Sequence, residues 1–201
     1  MTTLAAVLPL HRTIMAVDIE GSTTRTNPVR ARNRQLMYEL VEQALHLGGI
    51  AAEHRDEFHD LGDGVLVVIH PVPQAPKTVL LNTVIPTLRE LLAEHAARHP
   101  EQSLRLRAAV HTGDVHYDAR GCYGEDVDIT FRLLNSQKLK TLLRQSSDPL
   151  VLVVSQDVHR SVIRHGYEGI DDSAFEPLVS VRIAGQRQRG WVHVPSQRLP
   201  N

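Results

Sequence analysis

The apolar run Ile14-Met15-Ala16-Val17 ends in Asp18-Ile19-Glu20-Gly21-Ser22-Thr23, and this junction constrains the fold more than any other segment. The run reads as a buried strand, and the acid, glycine and hydroxyl residues after it read as a tight turn. Asp18 therefore belongs where a buried strand breaks. A second acidic motif, Leu61-Gly62-Asp63-Gly64, lies between two strand-like stretches, Ile50 to Phe58 and Val65 to Ile69. Gly-Asp-Gly there reads as a hairpin tip. Neighbouring strands lie about 5 Å apart, so both carboxylates can serve one metal pair, whose ions sit roughly 3.5–4 Å apart in phosphoryl-transfer sites. The chemistry indicated is nucleotide processing.

Bulk properties narrow the class. The 201 residues suit one domain, 1–201 with a core of about 10–195, and suffice for a sizeable core. A formal net charge of −1 gives no global field to attract nucleic acid or an anionic membrane. No apolar stretch approaches the ~20 residues needed to cross a bilayer, and Met1 to Leu10 lacks the basic start and long hydrophobic segment of a signal peptide. The single cysteine, Cys122, excludes an internal disulfide and fits a reducing cytoplasm. His95 and His99 are spaced i, i+4, but no Cys or His pair completes a zinc set. They read as residues of a polar helix end.

Apolar periodicity predicts a helix from about Pro28 to Gly48-Gly49, carrying Leu36, Leu40, Ala44 and Leu47 on one face. Pro71, Pro73 and Pro76 form a stiff connector to a second helix, Lys77 to Arg98, with a kink at Pro86. A strand over Leu104 to Val110, a turn at His111-Thr112-Gly113 and a strand from Asp114 to Tyr117 follow. Then come a helix from about Gly124 to Arg144, a buried strand Leu150 to Val154, and a short helix capped by Ser155. The tail from Phe175 to Val194 reads as two strands around Ala184-Gly185. A mixed sheet covered by helices is the economical packing, an α/β class, or α+β by stricter usage.

Residues 104–134, with Val17 to Thr23 and Leu61 to Gly64, resemble the class III nucleotidyl cyclases in order and approximate spacing. The resemblance spans about residues 10–195 and implies a ferredoxin-like catalytic core that acts as a homodimer, with sites at the subunit interface. It implies that Asp18 and Asp63, with the Ile19 carbonyl, hold two Mg²⁺ or Mn²⁺ ions. Glu20, Gly21, Ser22 and Thr23 would offer backbone N–H groups to the triphosphate. Arg132 matches the arginine that reaches from the other subunit to the α-phosphate. Arg182, Arg187 and Arg189 lie near the place of a family lysine, and Arg187 and Arg189 are carried as triphosphate-binding candidates. The reaction implied is attack of the ribose 3′-hydroxyl on the α-phosphorus, giving a 3′,5′-cyclic nucleotide and pyrophosphate. Asp128 and Arg132 are also spaced as a simple i, i+4 surface ion pair.

Three positions depart from the family pattern for adenine. His59 stands where a lysine is usual, Gly121 where an aspartate or threonine reads the base, and Asp128 where an asparagine positions the ribose. Gly121 has no side chain to hydrogen-bond a purine, and a neutral imidazole offers one donor and one acceptor. A site that reads a base by hydrogen bonds discriminates by leaving partners unpaired. The chain therefore resembles the short pyrimidine cyclases of bacterial antiphage defence, whose cyclic UMP or CMP is a second messenger for a separate effector protein. Tyr123 or Arg120 would fill the space left by a smaller base. The alternatives are an ATP cyclase and a degenerate domain that only binds nucleotide or a partner. Asp18 to Ser22 also looks like the nucleophile loop of haloacid-dehalogenase phosphatases, but the expected strand order is wrong for their doubly wound sheet.

Overall fold

In the computed structural model, which describes residues 8–194, eight strands form one mixed sheet in the order β2-β3-β1-β4-β6-β8-β7, with β5 paired to β4 off that path. The strands are β1 (Leu10–Ile19), β2 (His59–Asp60), β3 (Gly64–Ile69), β4 (Leu106–Asp118), β5 (Gly121–Tyr123), β6 (Leu150–Ser155), β7 (Phe175–Ile183) and β8 (Gln186–His193). The α-helical segments are α1 (Asn27–Leu47), α2 (Lys77–Val79), α3 (Ile85–Arg98), α4 (Glu125–Leu134), α5 (Gln137–Gln145) and α6 (Gln156–Ser161). The expected domain limits take in residues 1–7 and 195–201, which lie outside the described residues. Among the described residues no helix is long and apolar enough to cross a membrane.

Both sheet faces are covered, which is why β3 and β6 are buried throughout and apolar but for the terminal Ser155. Met15, Val17 and Ile19 pack with α1 and α3 on one face. Their neighbours Ile14 and Ala16 pack with Val127 and Leu133 of α4 and Leu139 of α5 on the other. β4 and β6 run parallel, and every other neighbouring pair is antiparallel.

The structure corrects several local expectations. His111-Thr112-Gly113 is no turn: β4 runs unbroken beside β1, with Ile14 opposite His111 and Arg12 opposite Gly113. Gly113 is required by a close approach instead, because a Cβ there would fall 2.1 Å from the Asp126 carboxyl carbon. The chain reverses after Asp118, whose Oδ1 accepts from the Arg120 and Gly121 N–H groups at 2.7 and 3.1 Å.

Ile50 to Phe58 is not a continuous strand: Arg55 makes an isolated antiparallel bridge to Ile69, and the strand that pairs with β3 is His59–Asp60. Arg55 draws this segment onto α1 by donating to both oxygens of Glu42 at 2.7 Å. At Pro86 a π-turn over Leu80–Val84 joins α2 to α3, and this widened turn accommodates the missing N–H. The expected helix over 124–144 is two helices, broken where Ser136 caps α5 by accepting from Leu139 N–H. Ser155 caps α6 as expected, and β7 and β8 form the terminal hairpin.

Candidate active site

Asp18 lies at the end of β1, opposite Gly64 of β3 on one side and Arg107 of β4 on the other. A Cβ at position 64 would fall 2.5 Å from the Val17 carbonyl oxygen, so glycine permits this approach of backbones. The Ile19 N–H donates to the Asp63 carbonyl at 3.0 Å, which latches the hairpin tip to the end of β1. The two acids of the separate sequence motifs are thereby brought to one end of the sheet.

The Asp18 side chain is 13% exposed. Its Oδ2 accepts from the Arg107 guanidinium, while its Oδ1 is buried with no hydrogen-bond partner among the described residues. Burial pushes the carboxyl above its ordinary range, the Asp63 charge adds to the rise, and Arg107 opposes it. A half-unsatisfied buried carboxylate beside a second acid is an arrangement that a divalent cation would relieve. Among the described residues no group of three or more His, Cys, Asp or Glu side chains is placed to hold a metal ion. The available donors are two carboxylates and backbone carbonyls, an oxygen set that suits Mg²⁺ or Mn²⁺ rather than zinc. Ile19 is 2% exposed, its side chain in the core, so it contributes to such a set only through its backbone.

Gly21 takes a left-handed conformation, φ 65°, and opens a single 3-10 turn at Ser22–Thr24. The Glu20 N–H is spent on the Arg105 carbonyl at 2.9 Å, so of the four expected amide donors Gly21, Ser22 and Thr23 remain candidates. Arg107 was not anticipated from sequence. Its signal was the alternation Leu104-Arg105-Leu106-Arg107, which places a charge on a strand between two covered faces.

Arg132 and Asp128 lie on α4 and line a cavity of about 590 Å³ with Phe131, Asn135, Arg182 and Ala184. Asp18 and Asp63 do not line it. Among the described residues, Asp128 and Arg132 form no ion pair within 4.0 Å, against the simple surface-pair expectation. Arg182 is the hairpin arginine that joins them. Arg187 sits opposite Arg182 and donates from Nε to Ser180 Oγ at 2.7 Å, and Arg189 sits opposite Ser180. Neither Arg187 nor Arg189 lines this cavity.

The start of α4 is fixed by groups that sequence reading missed. Asp126 contacts His111 Nε2 at 2.8 Å and accepts from the Asp114 N–H at 2.6 Å. His111 Nδ1 meets Ser155 Oγ at 2.7 Å. The chain Ser155–His111–Asp126 has the order of a hydrolytic triad, but Ser155 is 3% and His111 1% exposed. Ser155 Oγ also caps α6, so the chain is a brace between β4, β6, α4 and α6. Burial pushes the Asp126 carboxyl up, yet the hydrogen bonds from His111 and Asp114 outweigh it and leave it lowered.

His59 and Gly121 are adjacent: a Cβ on Gly121 would lie 3.8 Å from His59 Nδ1. Tyr123 is half exposed and stacks on His116, ring centroids 5.4 Å apart. Behind His59, Asp56 Oδ2 is 4.0 Å from His59 Nε2 and accepts from Tyr117 OH at 2.8 Å. Asp56 Oδ1 contacts His70 Nε2 at 2.8 Å, and Arg12 Nε donates to Tyr117 OH at 3.1 Å. Burial and then the Asp56 carboxylate push the Tyr117 hydroxyl up to about 12. These groups come from β1, β4 and the 55–70 region, so no local motif announces them.

No protein-family model matches the chain, and no curated protein matches it in sequence. Solved structures do share its architecture. An adenylate/guanylate cyclase/hydrolase from Silicibacter pomeroyi superposes with a TM-score of 0.64 at 18% identity, covering 94% of this chain and 98% of that one. The adenylyl cyclase CyaB from P. aeruginosa gives 0.62 at 16% identity, covering 96% and 98%. A non-canonical dimeric guanylyl cyclase domain from Blastocladiella emersonii gives 0.57 at 14% identity, covering 91% and 96%. The fold is that of cyclase catalytic cores, which removes the phosphatase alternative with its doubly wound sheet.

Proposed function

We propose that the chain is a nucleotidyl cyclase that converts a nucleoside triphosphate, preferentially UTP or CTP, to the 3′,5′-cyclic nucleotide and pyrophosphate as a homodimer. The observation that carries this reading is the buried Asp18 carboxylate with its unpartnered Oδ1, latched at the same sheet end as Asp63. When bound, two Mg²⁺ or Mn²⁺ ions held by Asp18, Asp63 and the Ile19 carbonyl would supply Lewis acidity toward the 3′-hydroxyl and the phosphates.

The chain's own groups do the rest. The turn amides of Gly21 to Thr23 receive the triphosphate. The ribose 3′-oxygen forms a bond to the α-phosphorus and gives up its proton to solvent water, and the bond from that phosphorus to the pyrophosphate oxygen breaks. Arg132 meets the charge that develops on the α-phosphate, with Asp128 beside it toward the ribose. Arg132 lines a different cavity from the one beside Glu20 and Gly21, which supports an arrangement in which each copy supplies Arg132 to its partner's site. The Blastocladiella emersonii guanylyl cyclase domain forms a non-canonical dimer, which supports dimerisation of this fold.

Base selection rests on His59 beside Gly121. No ammonium or carboxylate stands at these two positions to pair a purine, and His59 has Asp56 behind it. That supports a pyrimidine, and with it, by resemblance, a second-messenger role in antiphage defence with a separate effector. The test is incubation of the purified protein with Mn²⁺ and each of ATP, GTP, CTP and UTP. Cyclic product from UTP or CTP is expected. Product mainly from ATP would overturn the pyrimidine reading, and binding without any product would favour a degenerate domain.

A further inference from the structure

Beside the acidic end of β1 lies a cavity of about 240 Å³ lined by Glu20, Gly21, Arg107, Gln137, Lys140 and Arg144. Its far wall is one face of α5. Leu139 is buried in the core, Leu143 is buried at the cavity wall, and Gln137, Lys140 and Arg144, spaced i, i+3 and i+7, line the cavity beside it. Arg105 ties this helix down: it donates to the Leu143 carbonyl and, at 2.9 Å, to that of Ser146, while its Nε lies 3.4 Å from Glu20 Oε2.

Among the residues that line this space the cations outnumber the acids. Asp18 is matched by Arg107 and Glu20 by Arg105. Among the described residues, Lys140 and Arg144 have no acidic partner within 4.0 Å, although Lys140 is near enough to act on the Asp18 carboxyl. Two unpaired cations therefore face a concave space that adjoins the Gly21 turn. Such an arrangement suits a multiply charged anion, with the guanidinium able to form two parallel bonds to one phosphate.

We propose that Lys140 and Arg144 of α5 bind the terminal phosphates of the triphosphate and hold pyrophosphate after the reaction. The identity of the anion rests on the cyclase reading; the existence of an anion site does not. With the triphosphate that yields product, the double variant Lys140→Gln/Arg144→Gln raises KM by about tenfold for each cation removed. Inhibition by inorganic pyrophosphate and tripolyphosphate weakens in parallel, and kcat stays within about threefold. Arg98→Gln, on α3, serves as the control and leaves all of these unchanged.

A folded double variant with wild-type KM and wild-type pyrophosphate inhibition overturns the proposal and leaves the cyclase reading intact. If no triphosphate turns over, calorimetric titration of inorganic tripolyphosphate into the intact protein decides alone. Binding that the double variant loses upholds the site while the cyclase reading fails. No binding by the wild-type protein, or equal binding by the variant, overturns the site.

Discussion

Asp18 and Arg107 face one another across the β1–β4 pairing, and the guanidinium satisfies Oδ2 of a buried carboxylate whose Oδ1 has no hydrogen-bond partner among the described residues. The pair holds the acid in place without completing its coordination. A cation bound at Oδ1 would share this carboxylate with Arg107. Removing one partner of a buried pair costs about 3–5 kcal/mol. Arg107→Gln is thus expected to lower the Tm of the metal-free protein and to enlarge the Tm gain on adding Mn²⁺. A gain equal to or smaller than that of the wild type, by calorimetry, would show that the ion does not share Asp18 with Arg107.

The separation of Arg132 from the acids gives a second expectation. Asp18→Ala and Arg132→Ala each abolish most turnover, with a loss of about 10²–10³ in kcat for the arginine. Mixing the two inactive proteins restores up to about a quarter of wild-type activity, because mixed dimers retain one complete site. Confirmed mixed dimers that stay inactive would sink the shared-site arrangement.

His59 is expected to govern preference more than rate. His59→Ala should narrow the spread of kcat/KM among the four triphosphates, with a loss of about 1–3 kcal/mol of discrimination. A uniform drop across all four, measured in parallel, would assign His59 a structural role only.

Asp126 links the α4 start to pH. Its folded value lies below the ordinary 3.8, so its contribution is present above 3.8 and lost as pH falls through the folded value. Asp126→Asn should cost about 1–3 kcal/mol near neutrality and flatten the acid limb of stability below pH 3.8. Gly113→Ala should mimic the neutral-pH loss, since its Cβ would displace the same carboxylate. Urea unfolding at several pH values measures both.

The alkaline end belongs to Tyr117. Its folded value is raised to about 12, so its contribution is present below the ordinary value of 10.0 and lost as pH rises through about 12. Ultraviolet titration of the four tyrosines should show Tyr117 ionising late, with Tyr38 also raised by burial, and Asp56→Asn should bring the Tyr117 step down. An unchanged late step in the variant would remove Asp56 as a cause.

Legibility in the sequence followed the range of the interactions. Asp18 and Asp63 were legible because a buried strand that breaks and a glycine-flanked hairpin tip are local events. The same local reasoning failed at His111-Thr112-Gly113, where a good turn signal lies inside a strand that β1 pairs along its length. Gly113 is there to admit the Asp126 carboxylate from a helix whose approach no neighbouring residue announces. Arg182 of the edge strand β7, rather than Arg187 or Arg189 of β8, lines the cavity with Arg132, although the register sets Arg187 directly opposite Arg182.

The sequence by itself determined the coarse alternation of strands and helices and the two acidic motifs, since each depends on residues close in the chain. Only the tertiary structure decided what surrounds them. It placed Arg107 against Asp18, left one carboxylate oxygen unpaired, moved Arg132 to a separate cavity and set α5 with Lys140 beside the acidic end of β1. Those outcomes depend on pairing register and helix packing between distant segments, where cross-strand position and burial, not spacing along the chain, fix which charges meet.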